Sequence, residues 1–183
     1  MSGWAPENLL PDTKVSSSTK IFLIGMPGSG KSTIAQLLAE KIDLPFFDLD
    51  LILEIMKGKP IAKIFTEDGE EEFRKMESNA FLSLVASNEP YVMATGGGTP
   101  CFFNHLVKMN EFGRTVFLDT PIDTLIARVK DGNERPLLMD DYQNKMKELL
   151  SERIDFYKQA QIKVITDKKS LVEITEEIVG LIS

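Results

Sequence analysis

A glycine-rich segment at positions 25–32, which reads GMPGSGKS, contains the residues best suited to chemistry. It matches the pattern G-x-x-x-x-G-K-S/T and lies between a short apolar run and an amphipathic stretch. Glycines allow such a loop to curl until several backbone N–H groups point into one hollow, and the following helix adds the positive end of its dipole. The segment therefore predicts a nucleoside-triphosphate site; the alternative is a turn that only connects a strand to a helix.

The predicted nucleotide contacts follow from that motif, which we call the phosphate loop (residues 25–32). Lys31 should lie against the β- and γ-phosphates, and the hydroxyl of Ser32 should be a ligand of Mg²⁺. The contacts predicted from the loop are those of Gly28, Ser29, Gly30, Lys31, Ser32 and Thr33.

Two carboxylates, Asp48 and Asp50, follow a second short apolar run. Residues two apart in an extended chain point the same way, so both side chains should leave the strand end on one side. In parallel sheets the ligand crevice opens at the carboxyl ends of the strands. We therefore expect Asp48 beside Mg²⁺ and Asp50 on an acceptor hydroxyl; the alternative is that Asp50 only caps a helix beginning near Leu51.

Two further patterns lie downstream of the carboxylates. Arg74 and Glu77 are three residues apart on one face of a predicted helix, where the alternative to a functional pair is a surface ion pair. Three successive glycines at positions 96–98 end the third apolar run. Because glycines weaken a strand, their use here should be the close approach of the backbone to a ligand.

Elements that could position these residues alternate along the chain. Short apolar runs at 21–24, 45–47, 91–94, 115–118 and 162–165 predict strands. Apolar residues at helical spacing predict helices at 31–41, 70–86, 123–129, 142–159 and 170–182. This alternation predicts a parallel sheet with helices on both faces, formed by a single domain at 20–183. Residues 1–19 show no periodicity and should form a flexible tail.

Composition excludes several classes of protein. The net charge of −7 over 183 residues disfavours broad electrostatic binding to nucleic acid or anionic lipid. One cysteine and one histidine cannot supply a disulfide framework or a zinc cluster. No apolar run approaches the roughly 18 residues of a membrane span, and the amino terminus does not read as a signal peptide. We expect a soluble cytoplasmic protein that acts as a monomer.

Taken together, the motifs resemble those of the shikimate kinase family, in order and spacing, over nearly all of residues 20–183. The matching segments are the phosphate loop, FDLD at 47–50, IF at 64–65, GE at 69–70, FRKME at 73–77, ATGGG at 94–98, RPLL at 135–138, and ER at 152–153 with Tyr157. The resemblance implies transfer of phosphate from MgATP to the 3-hydroxyl of shikimate, on the route to aromatic amino acids. It also implies a five-stranded sheet in the order 2-3-1-4-5.

The resemblance further implies roles for individual residues. Asp50 would bind the acceptor hydroxyl and accept its proton, while Arg74 and Arg153 would clamp the shikimate carboxylate. Glu77 would orient Arg74, and the backbone of Gly96, Gly97 and Gly98 would lie below the ring. Arg135 would belong to a lid at about 129–139 and would be catalytic together with Asp50 and Lys31. Arg128 would lie near adenine.

Two alternatives to this function remain open from the sequence. One is a related small-molecule kinase that acts on gluconate or a nucleoside monophosphate, and the other is a nucleotide-binding regulator without activity. Paired arginines favour an acceptor with a carboxylate, because guanidinium forks bind a planar carboxylate at two points and lysine cannot.

Overall fold

The computed structural model describes residues 19–130 and 139–183. Five strands in these ranges pair in parallel as one sheet, in the order β2-β3-β1-β4-β5. The strands are β1 (Lys20–Ile24), β2 (Phe46–Asp48), β3 (Val92–Ala94), β4 (Gly113–Asp119) and β5 (Ile162–Ile165). The predicted strand order is therefore confirmed.

Helices connect the strands. Those in the described ranges are α1 (Lys31–Ile42), α2 (Leu49–Lys57), α3 (Ile61–Asp68), α4 (Glu70–Val85), α5 (His105–Phe112), α6 (Ile122–Lys130), α7 (Met139–Tyr157) and α8 (Leu171–Ile182), with a 3₁₀ turn at Thr99–Cys101. The sequence pattern predicts no counterpart of α3 or α5. Each has only 8 residues, so two turns offer few periodic positions from which to recognise a helix.

The central strand β1 explains why the sheet is covered on both sides. All five of its residues are buried, and successive side chains point to opposite faces. Ile21 and Leu23 pack with α1 and α8, whereas Phe22 and Ile24 pack with α4, α5 and α7. The short apolar run thus supplies two cores at once, which confirms the predicted doubly wound architecture.

The phosphate loop, Asp50 and the glycines at 96–98 follow the carboxyl ends of β1, β2 and β3, which are neighbours in the sheet. These ends point the same way because the strands are parallel. Residues 1–18 and the greater part of the predicted lid (129–139) lie outside the described residues. Within the described residues, no helix combines the length and the apolar character needed to cross a membrane.

Candidate active site

The phosphate loop turns sharply between β1 and α1. Gly25 and Gly30 have φ angles of 145° and 94°, in the region that favours glycine. A Cβ at Gly25 would also lie 2.9 Å from the carbonyl oxygen of Leu118, so this residue lets the loop pass close to β4. The glycines therefore let the loop run close to the sheet and lead directly into the amino-terminal end of α1.

Lys31 is the first residue of α1 and is almost fully buried. Its Nζ donates hydrogen bonds to the carbonyl oxygens of Gly25 (3.1 Å) and Met26 (2.9 Å). Burial lowers the pKa of Lys31 to about 8, although Asp50 and Asp48 oppose this shift. The loop thus holds the ammonium group through two of its own carbonyl oxygens.

A cavity of about 370 Å³ lies beside the loop. We call it the loop cavity, and it is lined by Pro27, Gly28, Gly30, Lys31, Ser32, Thr33, Asp50, Thr95 and Gly97. Ser29 differs from the other predicted loop contacts, because it is buried and does not line this cavity. Arg128 lies on the outer side, where its Nη1 donates to the carbonyl oxygen of Gly28 (2.7 Å).

The two carboxylates after β2 do not lie as the extended-chain argument predicts. The strand ends at Asp48, and α2 begins at Leu49, so Asp50 is in the first helical turn. The N-cap is Asp48, whose Oδ1 accepts from the backbone N–H of Leu51 (3.2 Å). The alternative that Asp50 is the cap is therefore wrong, and so is the idea that both residues extend the strand. A side chain that caps a helix ends the strand at its own position.

Asp50 nevertheless faces the loop cavity. Burial raises its pKa to about 6, with further contributions from Asp48 and Glu77, while the nearby Lys31 opposes the shift. At neutral pH Asp50 is thus mostly ionised, yet it is a better proton acceptor than an ordinary aspartate.

Arg74 and Glu77 form a buried pair, so the alternative of a surface ion pair is wrong. Their side chains are joined by a bond of 2.8 Å from Nη1 to Oε2, and Glu77 is only 1% exposed. Nη2 of Arg74 also lies 3.3 Å from Oε1 of Glu70. The ring of Phe102 stacks 4.3 Å from the guanidinium carbon. A guanidinium held on several sides has one fixed orientation.

The three glycines after β3 leave room for side chains from other elements. A Cβ at Gly96 would lie 2.8 Å from both Asp50 Oδ1 and Glu77 Oε1. The corresponding atom at Gly97 would lie 3.1 Å from Nη1 of Arg153, and at Gly98 it would lie 2.6 Å from Nη2 of Arg74. These glycines therefore make room for the site side chains, and their close approach to a ligand stays a prediction.

A second cavity, of about 200 Å³, opens beside these glycines. We call it the arginine cavity, and it is lined by Pro27, Asp50, Ile61, Phe65, Phe73, Arg74, Glu77, Gly96, Gly97, Gly98 and Arg153. It shares Pro27, Asp50 and Gly97 with the loop cavity. Groups bound in the two cavities would therefore meet at Asp50.

One residue of the arginine cavity has no counterpart in the sequence motifs. Ile61 belongs to α3, a helix that the sequence pattern does not predict, whereas Phe65 of the same helix lies in the matching segment at 64–65. Tyr157 fixes the floor, since its hydroxyl donates to the carbonyl oxygen of Gly97 (2.6 Å). Burial raises the pKa of Tyr157, so it stays a protonated donor. Arg135 lies outside the described residues, and its contact with phosphates stays a prediction.

The donor set predicted for Mg²⁺ consists of oxygen atoms from Ser32 and Asp48. Residues 19–130 and 139–183 contain no cluster of three or more His, Cys, Asp or Glu residues that could hold a metal by themselves. This is compatible with Mg²⁺, which is usually held by one or two protein oxygens together with substrate phosphates and water.

A parallel sheet, a phosphate loop and an adjoining polar cavity define a P-loop kinase of small molecules. The family model described as "Shikimate kinase" matches residues 27–183. This chain belongs to the shikimate kinase family.

Individual relatives agree with the family model. The chain is 41% identical to the shikimate kinase of Persephonella marina over 162 residues, which cover 88% of this chain and 98% of that protein. Among solved structures, shikimate kinase from Bacteroides thetaiotaomicron has a TM-score of 0.80 at 32% identity and covers 89% of this chain and 97% of its own. Shikimate kinase from Acinetobacter baumannii, in complex with shikimate, has a TM-score of 0.83 at 29% identity, with coverages of 93% and 96%.

Proposed function

We propose that this protein transfers the γ-phosphoryl group of ATP to the 3-hydroxyl of shikimate, in the biosynthesis of aromatic amino acids. The observation that carries the proposal is the junction of the two cavities at Asp50. On one side lie the phosphate loop and Lys31, and on the other lie Arg74 and Arg153. A nucleotide and an acceptor can therefore bind separately and react at one point.

The arginine cavity suits a small ring with a carboxylate. Arg74 and Arg153 both line it, and guanidinium groups bind a carboxylate with two parallel hydrogen bonds. Phe65 and Phe73 supply apolar walls for the carbon skeleton of the ring. The combination of charge at one end and apolar walls along the side favours shikimate over a nucleoside monophosphate.

The chemical step requires alignment and positive charge more than a strong base. A bond forms between the acceptor hydroxyl oxygen and the γ-phosphorus, and the bond from this phosphorus to the β–γ bridging oxygen breaks to leave ADP. Asp50 orients the hydroxyl and takes its proton, which then passes to solvent. Lys31 stabilises the negative charge that develops on the phosphoryl oxygens.

The oxygen atoms of Ser32 and Asp48 would hold Mg²⁺ when the nucleotide binds. Bound Mg²⁺ neutralises charge on the β- and γ-phosphates. Asp48 has only its second carboxylate oxygen free for the metal, because Oδ1 already caps α2.

Two further arginines complete the proposed nucleotide contacts: we assign Arg128 to the adenine side and Arg135 to the phosphates. We also propose that the enzyme acts as a cytoplasmic monomer.

The experiment that tests the proposal is an ADP-release assay with MgATP and a panel of acceptors: shikimate, quinate, gluconate and nucleoside monophosphates. We expect turnover with shikimate, and we expect ³¹P NMR to show a phosphate monoester on the 3-oxygen. Faster turnover of gluconate or of a nucleotide would assign the protein to a related kinase. An absence of turnover with every acceptor would favour a nucleotide-binding regulator.

A further inference from the structure

A buried series of hydrogen bonds lies behind the arginine cavity. The carboxylate of Glu77 uses its Oε2 to accept from Arg74, and its Oε1 accepts from the hydroxyl of Thr99 at 2.6 Å. Thr99 is 0% exposed and Glu77 is 1% exposed. Both oxygens of this carboxylate therefore depend on protein donors, because solvent hardly reaches them.

The series of hydrogen bonds continues from Thr99 to His105. Nδ1 of His105 lies 3.1 Å from the backbone carbonyl oxygen of Thr99. A carbonyl oxygen can only accept, so Nδ1 carries the hydrogen. Nε2 then accepts from the hydroxyl of Ser78 at 2.9 Å. Ser78 follows Glu77 in α4, so the chain of hydrogen bonds leaves this helix, passes through the 3₁₀ turn and α5, and returns to it.

The environment of His105 keeps this arrangement in a single protonation state. The imidazole is 0% exposed and packs 4.5 Å from the ring of Phe81. Burial lowers the pKa of His105 to about 4; the bond to Thr99 opposes the shift and Lys108 adds to it. The neutral tautomer therefore holds the backbone of Thr99 throughout the neutral pH range.

We propose that Thr99 is a positioning residue for recognition of the acceptor carboxylate, acting through Glu77 on Arg74. This inference rests on the proposed function. Thr99 fixes the rotation of the Glu77 carboxylate, and Glu77 fixes the plane of the Arg74 guanidinium that lines the arginine cavity. His105 in turn fixes the turn that carries Thr99. The hydroxyl of Thr99 thus contributes to acceptor affinity although it does not line the cavity.

The Glu77 carboxylate and the Thr99 hydroxyl both lie close to the backbone of Gly96. A Cβ at Gly96 would lie 2.8 Å from Glu77 Oε1 and 3.0 Å from Thr99 Oγ1. Loss of the hydroxyl would leave Oε1 buried without this donor, which is costly for a charged group. The carboxylate would then turn toward other donors and draw the guanidinium with it.

The test compares Thr99→Val, which has a similar shape without the hydroxyl, with Thr99→Ser, which keeps it. For Thr99→Val we expect the KM for shikimate to rise about tenfold and the KM for ATP to stay within about twofold. Thr99→Ser should restore the KM for shikimate to within about twofold of the unmutated enzyme. Thr99→Ala, which adds no bulk, should raise the KM for shikimate by the same amount as Thr99→Val. It takes the place of Thr99→Val in the test if that variant does not fold.

Thr115→Val is a matched control for the loss of a buried threonine hydroxyl. Thr115 is 0% exposed in β4, and its hydroxyl accepts from the backbone N–H of Gln161 (2.9 Å) and donates to Asn110. It lies outside both cavities. This variant should lower the melting temperature without changing the KM for shikimate.

A double-mutant cycle tests whether Thr99 acts through Arg74. In an Arg74→Lys background, Thr99→Val should raise the KM for shikimate by less than about twofold further. A full additional tenfold increase, an unchanged KM in Thr99→Val itself, or equal increases for both substrates would overturn the inference. Turnover of shikimate by the unmutated enzyme tests the proposed function separately, so failure of one is distinguished from failure of the other.

Discussion

The two cavities that meet at Asp50 are built in opposite ways. The loop cavity is formed mainly by one continuous segment, whose backbone and Lys31 supply the positive groups. The arginine cavity takes side chains from α2, α3, α4 and α7, together with the glycines after β3. Its side chains also hold one another, as Glu77 holds Arg74. Substitutions should therefore act locally in the first cavity and propagate in the second.

Asp50→Asn should have the largest effect, because Asp50 belongs to both cavities. The amide keeps the size of the side chain but removes its charge and basicity, so we expect kcat to fall by about 10² to 10⁴. Steady-state kinetics should show a much smaller change in either KM. The matched control is Asp48→Asn, which keeps the cap of α2, since asparagine caps about as well as aspartate. Asp48→Asn should mainly raise the Mg²⁺ concentration required for activity. An Asp50→Asn enzyme with normal kcat would remove Asp50 from the chemical step.

Lys31→Met tests the loop cavity alone. Loss of a positive charge directed at the transferring phosphoryl group should lower kcat by about 10² to 10³. Shikimate binding, measured by calorimetry, should persist, because the arginine cavity does not include Lys31. Lys41→Met, at an exposed position in the same helix where the lysine pairs with Glu176, should retain normal turnover. Loss of shikimate binding in Lys31→Met would contradict the separation of the two cavities.

Arg153→Lys and Arg74→Lys test the arginine cavity with the charge retained. Lysine cannot form the two-point contact of a guanidinium, so the KM for shikimate should rise about 10- to 100-fold in each variant. The KM for ATP should change by less than about threefold, because neither arginine lines the loop cavity. Similar increases for both substrates would show that these residues only maintain the fold.

The smallest expected effect is a pH dependence of stability from His105. Its pKa is about 4 in the folded protein and near 6.5 when unfolded, so the unfolded chain binds more protons between these values. His105 by itself should therefore lower the free energy of unfolding by about 1 to 2 kcal/mol as the pH falls from 7 to 5, whereas Asp50, whose pKa burial raises, acts in the opposite direction over the same range. Urea titrations of the unmutated protein and of His105→Phe at both pH values would isolate the contribution of His105. On acidification the unmutated protein should lose about 1 to 2 kcal/mol relative to His105→Phe, and an equal change in the two proteins would contradict the assignment.

The contrast between the cavities also explains what could be predicted from the sequence. The phosphate loop is recognisable because its requirements fall on consecutive residues, and the order of the sheet follows from the family resemblance. The geometry after β2 could not be obtained from alternation, because the cap at Asp48 begins a helix one residue before Asp50. The link from Thr99 to Glu77 joins residues 22 apart through tertiary packing, and no local pattern indicates it.

The glycines at 96–98 have a consequence for redesign of the acceptor specificity. Each lacks a side chain where an atom of Asp50, Glu77, Arg74 or Arg153 now lies, so the triplet and these four residues share one volume. A larger residue at 98 becomes feasible only if the side chain at 74 is shortened. Libraries that enlarge the residues at 96–98 while keeping the surrounding side chains would therefore produce steric clashes. The residues at positions 74 and 98 should instead be varied together.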